Sequence, residues 1–234
     1  MDKLATSRKS NRQIEAQAND LLKTLWNKRL EHWDGNPPSD PVAIIDPVKA
    51  LGLLGFTFSY TEDLGKYDGD NGFLKVAGTI NRDTKTVQVS DHFPQSVRLF
   101  TVAHELGHAV MHDVGGTIHR DRPLDGAIAS RESMEVEADK FASFFLMPEK
   151  LVKSRFVEAF GSERFSLNED TAFALLCEPL SDVRKKLGKR RDLSRFLASA
   201  GSYNGRFFHS LANQFRVSFE AMAIRLEELS LIKP

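Results

Sequence analysis

The sequence predicts an α+β fold. Residues 14–33 repeat apolar side chains at helical period, residues 56–90 switch to short β-type runs, and most of the chain beyond residue 90 returns to helical patterning. At 234 residues the chain suits one generous domain or a main domain with an annex. Hydrophobic residues make up 41% and charged residues 27%, a balance that can build a core. Lysine plus arginine equals aspartate plus glutamate at 32 each, so no global field draws nucleic acid or anionic lipid. The single cysteine, Cys177, excludes an intrachain disulfide and leaves histidine and carboxylate to build any metal site. The polar N-terminus is unlike a signal peptide, and no apolar run approaches the ~20 residues that span a bilayer. A cytoplasmic location without membrane contact is expected.

Along the chain, Ile14, Ala18, Leu21, Leu22, Leu25, Trp26, Leu30 and Trp33 define an amphipathic helix, with both tryptophans expected to pack on the domain body. The prolines of "DGNPPSDP" end it. "DPVKALGLLG" reads as a short helix capped by Asp46, with Pro47 in its first turn and Gly55 at its close. "FTFSY", "GFLKVAGTI" and "TVQVS", the last two flanking the turn-like "NRDTKT", read as three or four antiparallel strands. A helix beginning near Pro94 then carries Val97, Phe100, Thr101, His104 and His108 on related faces until Gly115 and Gly116. "GGTIHRDRPLDGAIAS" reads as a loop, and "SRESMEVEADKFASFFLMP" as a second long helix ended by Pro148. The remainder reads as all-helical. These elements divide into a core with its N-terminal helix over residues 1–152 and a helical region over 153–234.

The chemistry concentrates in "HELGH", residues 104–108. Residues at i and i+4 share a helix face, so His104 and His108 can both aim a ring nitrogen at one ion about 2.0–2.1 Å away. Glu105 is offset by about 100°, which puts it beside the ion, where it can take a proton from an attacking water. The surrounding positions are strongly apolar, and burying two imidazoles and a carboxylate there is costly unless something pairs with them. Gly107, a poor helix former, marks a place where another backbone comes close.

A catalytic zinc of this kind needs a third protein ligand. In "ESMEVEADKFASFF" Glu135 and Asp139 are four apart on one face, so Glu135 can ligate while Asp139 accepts the outer N–H of a ligand histidine. Glu137 and Glu132 are rivals for the ligand role, ranked second and third. His112 continues the spacing, but a helical rise of about 12 Å from His104 is too long for a shared ion. We expect it to meet the carbonyls at the helix end instead.

Together "RLFTVAHELGHAVMHD" and "EVEADKFASFFLMP" resemble the ImmA/IrrE family of zinc metallo-endopeptidases. The resemblance spans roughly residues 73–148, does not extend over 152–210, and returns in "LANQFRVSFEAMAIRLEELSLI", which looks like the helix-turn-helix-like segment that follows the protease core. It implies a zincin-like α+β fold, with a small sheet over the active-site helix. It also implies His104, His108 and Glu135 as zinc ligands and Glu105 as the catalytic acid/base. Members of the family commonly cleave a helix-turn-helix transcriptional repressor, and some act within toxin–antitoxin-like pairs.

A peptidase lays its substrate on an open sheet edge, and "TVQVS" or the strand from Phe73 is the expected one. Tyr203, His209 and His119 are candidates to stabilise an oxyanion. Cys177, in "FALLCEPL", reads as a buried small side chain. The basic run "RKKLGKRRDLSR" reads as a solvated helix face, with docking of an acidic partner or DNA as the alternative. The last segment, "FEAMAIRLEELSLI", carries three glutamates and one arginine, a poor face for phosphates, so direct contact with nucleic acid is not expected. Two readings compete with the enzyme: a repressor- or DNA-binding module with an idle metal site, and the toxin half of a toxin–antitoxin pair.

Overall fold

The structure, a computed structural model, describes residues 9–69, 72–113, 117–120 and 133–233, with backbone only for 66–69, 72–75 and 117–120. It is a mixed α+β chain that divides into two compact units, Met1–Leu146 and Met147–Pro234.

The first unit opens with helix α1 (Asn11–Asn27). Ser10 and Gln13 cap it reciprocally, and Ile14, Ala18, Leu21 and Leu25 form its buried stripe. The helical pattern then breaks: α2 (Arg29–His32) follows as a single turn. Trp26 is 40% exposed, with the Arg29 guanidinium 4.4 Å above its ring, so it does not pack into the body as expected. A short 3₁₀ turn, Pro41–Ile44, leads to α3 (Pro47–Leu53), where Asp46 accepts the Val48 and Lys49 N–H groups. Gly55 beyond its end takes φ +77.

The strands are β1 (Thr57–Thr61), β2 (Lys66–Gly69), β3 (Gly72–Lys75), β4 (Gly78–Asn81) and β5 (Thr86–Ser90). Helix α4 (Gln95–Met111) follows, then β6 (Thr117–Arg120) and α5 (Ser133–Leu146). The main sheet has the order β1-β5-β4-β6, while β2 and β3 form a separate antiparallel pair. Two expectations change. "GFLKVAGTI" is not one strand: it divides into β3 and β4, with Val76 and Ala77 between them, each strand serving a different sheet. Nor is the main sheet wholly antiparallel, because β1 runs parallel to β5. The segment read as a loop after α4 contributes β6, which closes one edge of the sheet against β4.

Consequently β5 is interior, flanked by β1 and β4, with Val87 and Val89 buried. "TVQVS" cannot offer a free edge to a peptide, since both its ladders are already used. Helix α4 packs on β4 and β5, and α5 packs on α4 and α1. Phe141 and Phe145 of α5 are wholly buried and stack with centroids 6.0 Å apart. Burial of each such ring contributes on the order of 2–3 kcal/mol, which fixes α5 against the rest of the unit.

The second unit contains α6 (Glu149–Phe160), α7 (Glu169–Leu176), α8 (Leu180–Leu187), α9 (Arg190–Ser199), the hairpin β7 (Ser202–Tyr203) and β8 (Arg206–Phe207), α10 (Leu211–Phe215) and α11 (Phe219–Glu228). The boundary expected after residue 152 lies inside α6. The hairpin interrupts a region read as all-helical; its turn, Asn204-Gly205, has φ of +50 and +73, as a tight two-residue hairpin turn requires. Tyr203 joins an aromatic cluster with Phe160 and Phe165, which gives it a packing role. His209 is exposed, and Cys177 is exposed too, because it ends α7 in the left-handed conformation rather than lying in its buried stripe.

The basic run folds against its own neighbours. Arg191 lies 3.6 Å from Glu220 and 3.4 Å from Glu227, Arg195 donates to Glu220 at 2.6 Å, and Lys186 donates to Glu178. Arg225, the one arginine of α11, is 2% exposed and donates through Nε to the Met147 carbonyl. No helix among the described residues is long and apolar enough to cross a membrane.

Candidate metal centre

Helix α4 supplies the first half of the site. Its apolar sequence makes it a buried helix rather than a surface one. His104, Glu105 and His108 are 1%, 0% and 0% exposed, on the part that crosses α5 and lies under β4. The crossing is close because its residues are small. A β-carbon added at Gly107 would meet the Ala138 backbone at 3.1 and 3.2 Å, the close approach its glycine predicts.

That proximity brings α5's acids to the imidazoles. Glu135 Oε2 lies 3.1 Å from His104 Nε2, and Glu135 Oε1 lies 3.1 Å from His108 Nε2. The two Nε2 atoms are 3.0 Å apart. Four residues further along α5, Asp139 Oδ1 lies 2.9 Å from His104 Nδ1. His104, His108 and Glu135 are the group among the described residues whose ligand atoms converge as a metal site requires. Glu132, the third-ranked rival, and the side chain of His119 lie outside the described residues.

The hydrogen-bond directions show whether a cation fits. An Asp139 carboxylate only accepts, so it fixes the His104 proton on Nδ1 and leaves the Nε2 lone pair facing inward. Burial, aided by the neighbouring His104, pushes the His108 pKa down to about 4, so at neutral pH its ring is uncharged. Glu135 responds in the opposite direction. Burial raises its pKa, but the adjoining His104 and His108 rings outweigh that and hold it far below the usual carboxylate range. Lone pairs and a carboxylate therefore gather within about 3 Å of one another, a set that a divalent cation satisfies. Ligand atoms bonded at about 2.0–2.1 Å in a tetrahedral site stand about 3.3 Å apart, close to the observed spacings.

The family model described as Peptidase_M78, IrrE N-terminal-like domain, matches residues 60–166. Those residues belong to the ImmA/IrrE family. Comparison with curated proteins gives no significant match.

Several features of this M78 domain are not evident from its sequence. Strand β4 presses on Glu105: a β-carbon at Gly78 would stand 2.8 Å from Glu105 Oε1 and 2.5 Å from Thr101 Cγ2, so only glycine lets the strand lie this close. Arg82, in the turn after β4, donates through Nη1 to the His108 and Ala109 carbonyls and thereby caps α4. Lys9 Nζ takes the Met111 carbonyl. His112 is thus not needed at those carbonyls. It leaves the helix in extended conformation, and its ring turns inward to reach His108 Nδ1 and Glu137. Glu137, second-ranked as a ligand, faces His112 instead of the metal cluster. The i, i+4, i+8 spacing of the three histidines is the available signal. It points to a supporting role because adjacent members of the series share a face.

Proposed function

We propose that this protein is a zinc-dependent endopeptidase with a zincin-like core, and that its substrate is a protein, specifically a helix-turn-helix transcriptional repressor. The observation that carries the reading is the convergence of His104, His108 and Glu135, from two helices, beside the separate buried carboxylate of Glu105. Membership of a peptidase family supports the reaction class. The choice of substrate rests on the resemblance to ImmA/IrrE proteins, which commonly cleave such repressors.

His104, His108 and Glu135 would hold the ion. Zinc bound there would supply a Lewis acid that polarises the peptide carbonyl and makes water more acidic. Glu105 stands on the helix one residue from His104, offset from the ligand direction, and serves as general base. It accepts one proton from the attacking water as the new C–O bond forms, and returns it to the amide nitrogen as the C–N bond breaks. No covalent enzyme intermediate is required. Asp139 holds the His104 ring by its outer nitrogen.

The pairing of Arg191 and Arg195 with Glu220 and Glu227 supports reading the C-terminal helices as packing or substrate-recognition elements rather than a DNA-binding surface. Incubation with a helix-turn-helix repressor, with and without zinc, tests the proposal. The wild-type chain should cleave it. Glu105→Gln should keep its zinc yet lose about 10²–10⁴-fold in rate. Tight repressor binding without cleavage by either protein would favour the binding-module reading instead.

A further inference from the structure

We propose that His112 and Glu137 form a buried positioning relay that fixes His108 for metal ligation through Nε2. This rests on the proposed metal site and assigns roles to two residues outside it.

Both groups are polar, yet they are 7% and 4% exposed. His112 Nδ1 lies 3.0 Å from His108 Nδ1, and His112 Nε2 lies 3.1 Å from Glu137 Oε2. Glu137 is itself anchored, since its Oε1 accepts the Lys9 backbone N–H at 2.8 Å. His112 reaches this position because the helix ends beneath it: at φ −117 and ψ 117 its backbone is extended, and its ring centroid lies 5.0 Å from that of His108.

Proton bookkeeping gives the chain a direction. A ligand nitrogen must present a lone pair, so His108 binding through Nε2 carries its proton on Nδ1. With that proton on His108 Nδ1 and His112 Nδ1 only 3.0 Å away, His112 Nδ1 is the acceptor. The neutral His112 ring then carries its proton on Nε2, where the Glu137 carboxylate receives it. Every link has one donor and one acceptor, and reversing any link breaks the others. His104 obtains the same orientation directly from Asp139. On α5 the acids at 135, 137 and 139 divide the work: 135 and 139 share a face toward the histidine pair, and 137, about 200° around from 135, takes the other flank.

The experiment compares zinc affinity, by competition with a chromogenic chelator, for the wild type, His112→Leu, His112→Gln and Glu137→Gln. Long-range ¹H–¹⁵N spectra of the zinc-loaded wild type report the tautomers. We expect His112 protonated on Nε2 and bare on Nδ1. His112→Leu should bind zinc about 10–100-fold more weakly. His112→Gln, whose amide offers both an acceptor and a donor, should recover part of the loss. Glu137→Gln should weaken binding too, because an amide can donate to His112 and reverse its tautomer. A His112 protonated on Nδ1 in the zinc-loaded wild type would overturn the relay, even if a variant fails to fold. So would a folded His112→Leu with wild-type zinc affinity. Failure of the wild type to bind zinc at all would overturn the metal site itself, a separately readable result.

Discussion

Gly78 and Glu105 meet so closely that a single added methyl group at position 78 would lie 2.8 Å from the glutamate's Oε1. The sheet thereby walls in one side of Glu105, the proposed general base. Gly78→Ala forces Thr101 and Glu105 to shift, and overpacking of this kind costs about 1–3 kcal/mol. The melting temperature should fall by roughly 2–10 °C. Zinc affinity should change little, because the atoms nearest the added carbon belong to Thr101 and Glu105 and not to the three proposed ligands. Unchanged thermal unfolding would show that the strand stands further from the helix than described.

The crossing of α4 and α5 makes a second prediction. Gly107 sits against the backbone of Ala138, so Gly107→Leu should push α5 outward and carry Glu135 with it. The two histidines share α4 and would stay paired. Zinc affinity should therefore fall by more than about 100-fold while helix content by circular dichroism is largely kept. Retention of tight binding would separate the helix crossing from metal capture.

Acid should destabilise the metal-free protein. His108 titrates near 4 when folded against 6.5 when exposed, so between those values the unfolded chain holds more protons than the native one. Stability is complete above pH 6.5 and declines as the pH falls toward 4, by roughly 3 kcal/mol from this group. Glu135 acts in the same sense, since its depressed folded pKa gives stability that is lost as the carboxylate is protonated. Thermal melts of chelator-treated protein from about pH 8 to pH 4 should show a steady fall below pH 6.5. A flat profile would contradict the burial of His108.

How much of this the sequence discloses depends on whether a feature is local. His104, Glu105 and His108 are legible because helical period alone puts them together. Glu135 and Asp139 are legible because their own spacing matches what a metal's third ligand and its neighbour need. The pairing of β1 with β5 is different: the two strands are separated by the β2–β3 hairpin and β4, and nothing in either strand encodes which partner it takes. The same limit hides Gly78, whose significance depends on Thr101 and Glu105, more than twenty residues away. The β7–β8 hairpin escapes a reading by periodicity although Asn204-Gly205 announces it, because the apolar helical runs on either side outweigh a two-residue signal.

Everything proposed for this site requires that side chains from two helices hold one divalent ion. Zinc titration of the metal-free protein, wild type against Glu135→Ala, puts that requirement to the sharpest test. One zinc should bind per wild-type chain, with at least about a 100-fold loss of affinity when the carboxylate is removed. Equal affinity and stoichiometry in the two proteins would contradict it.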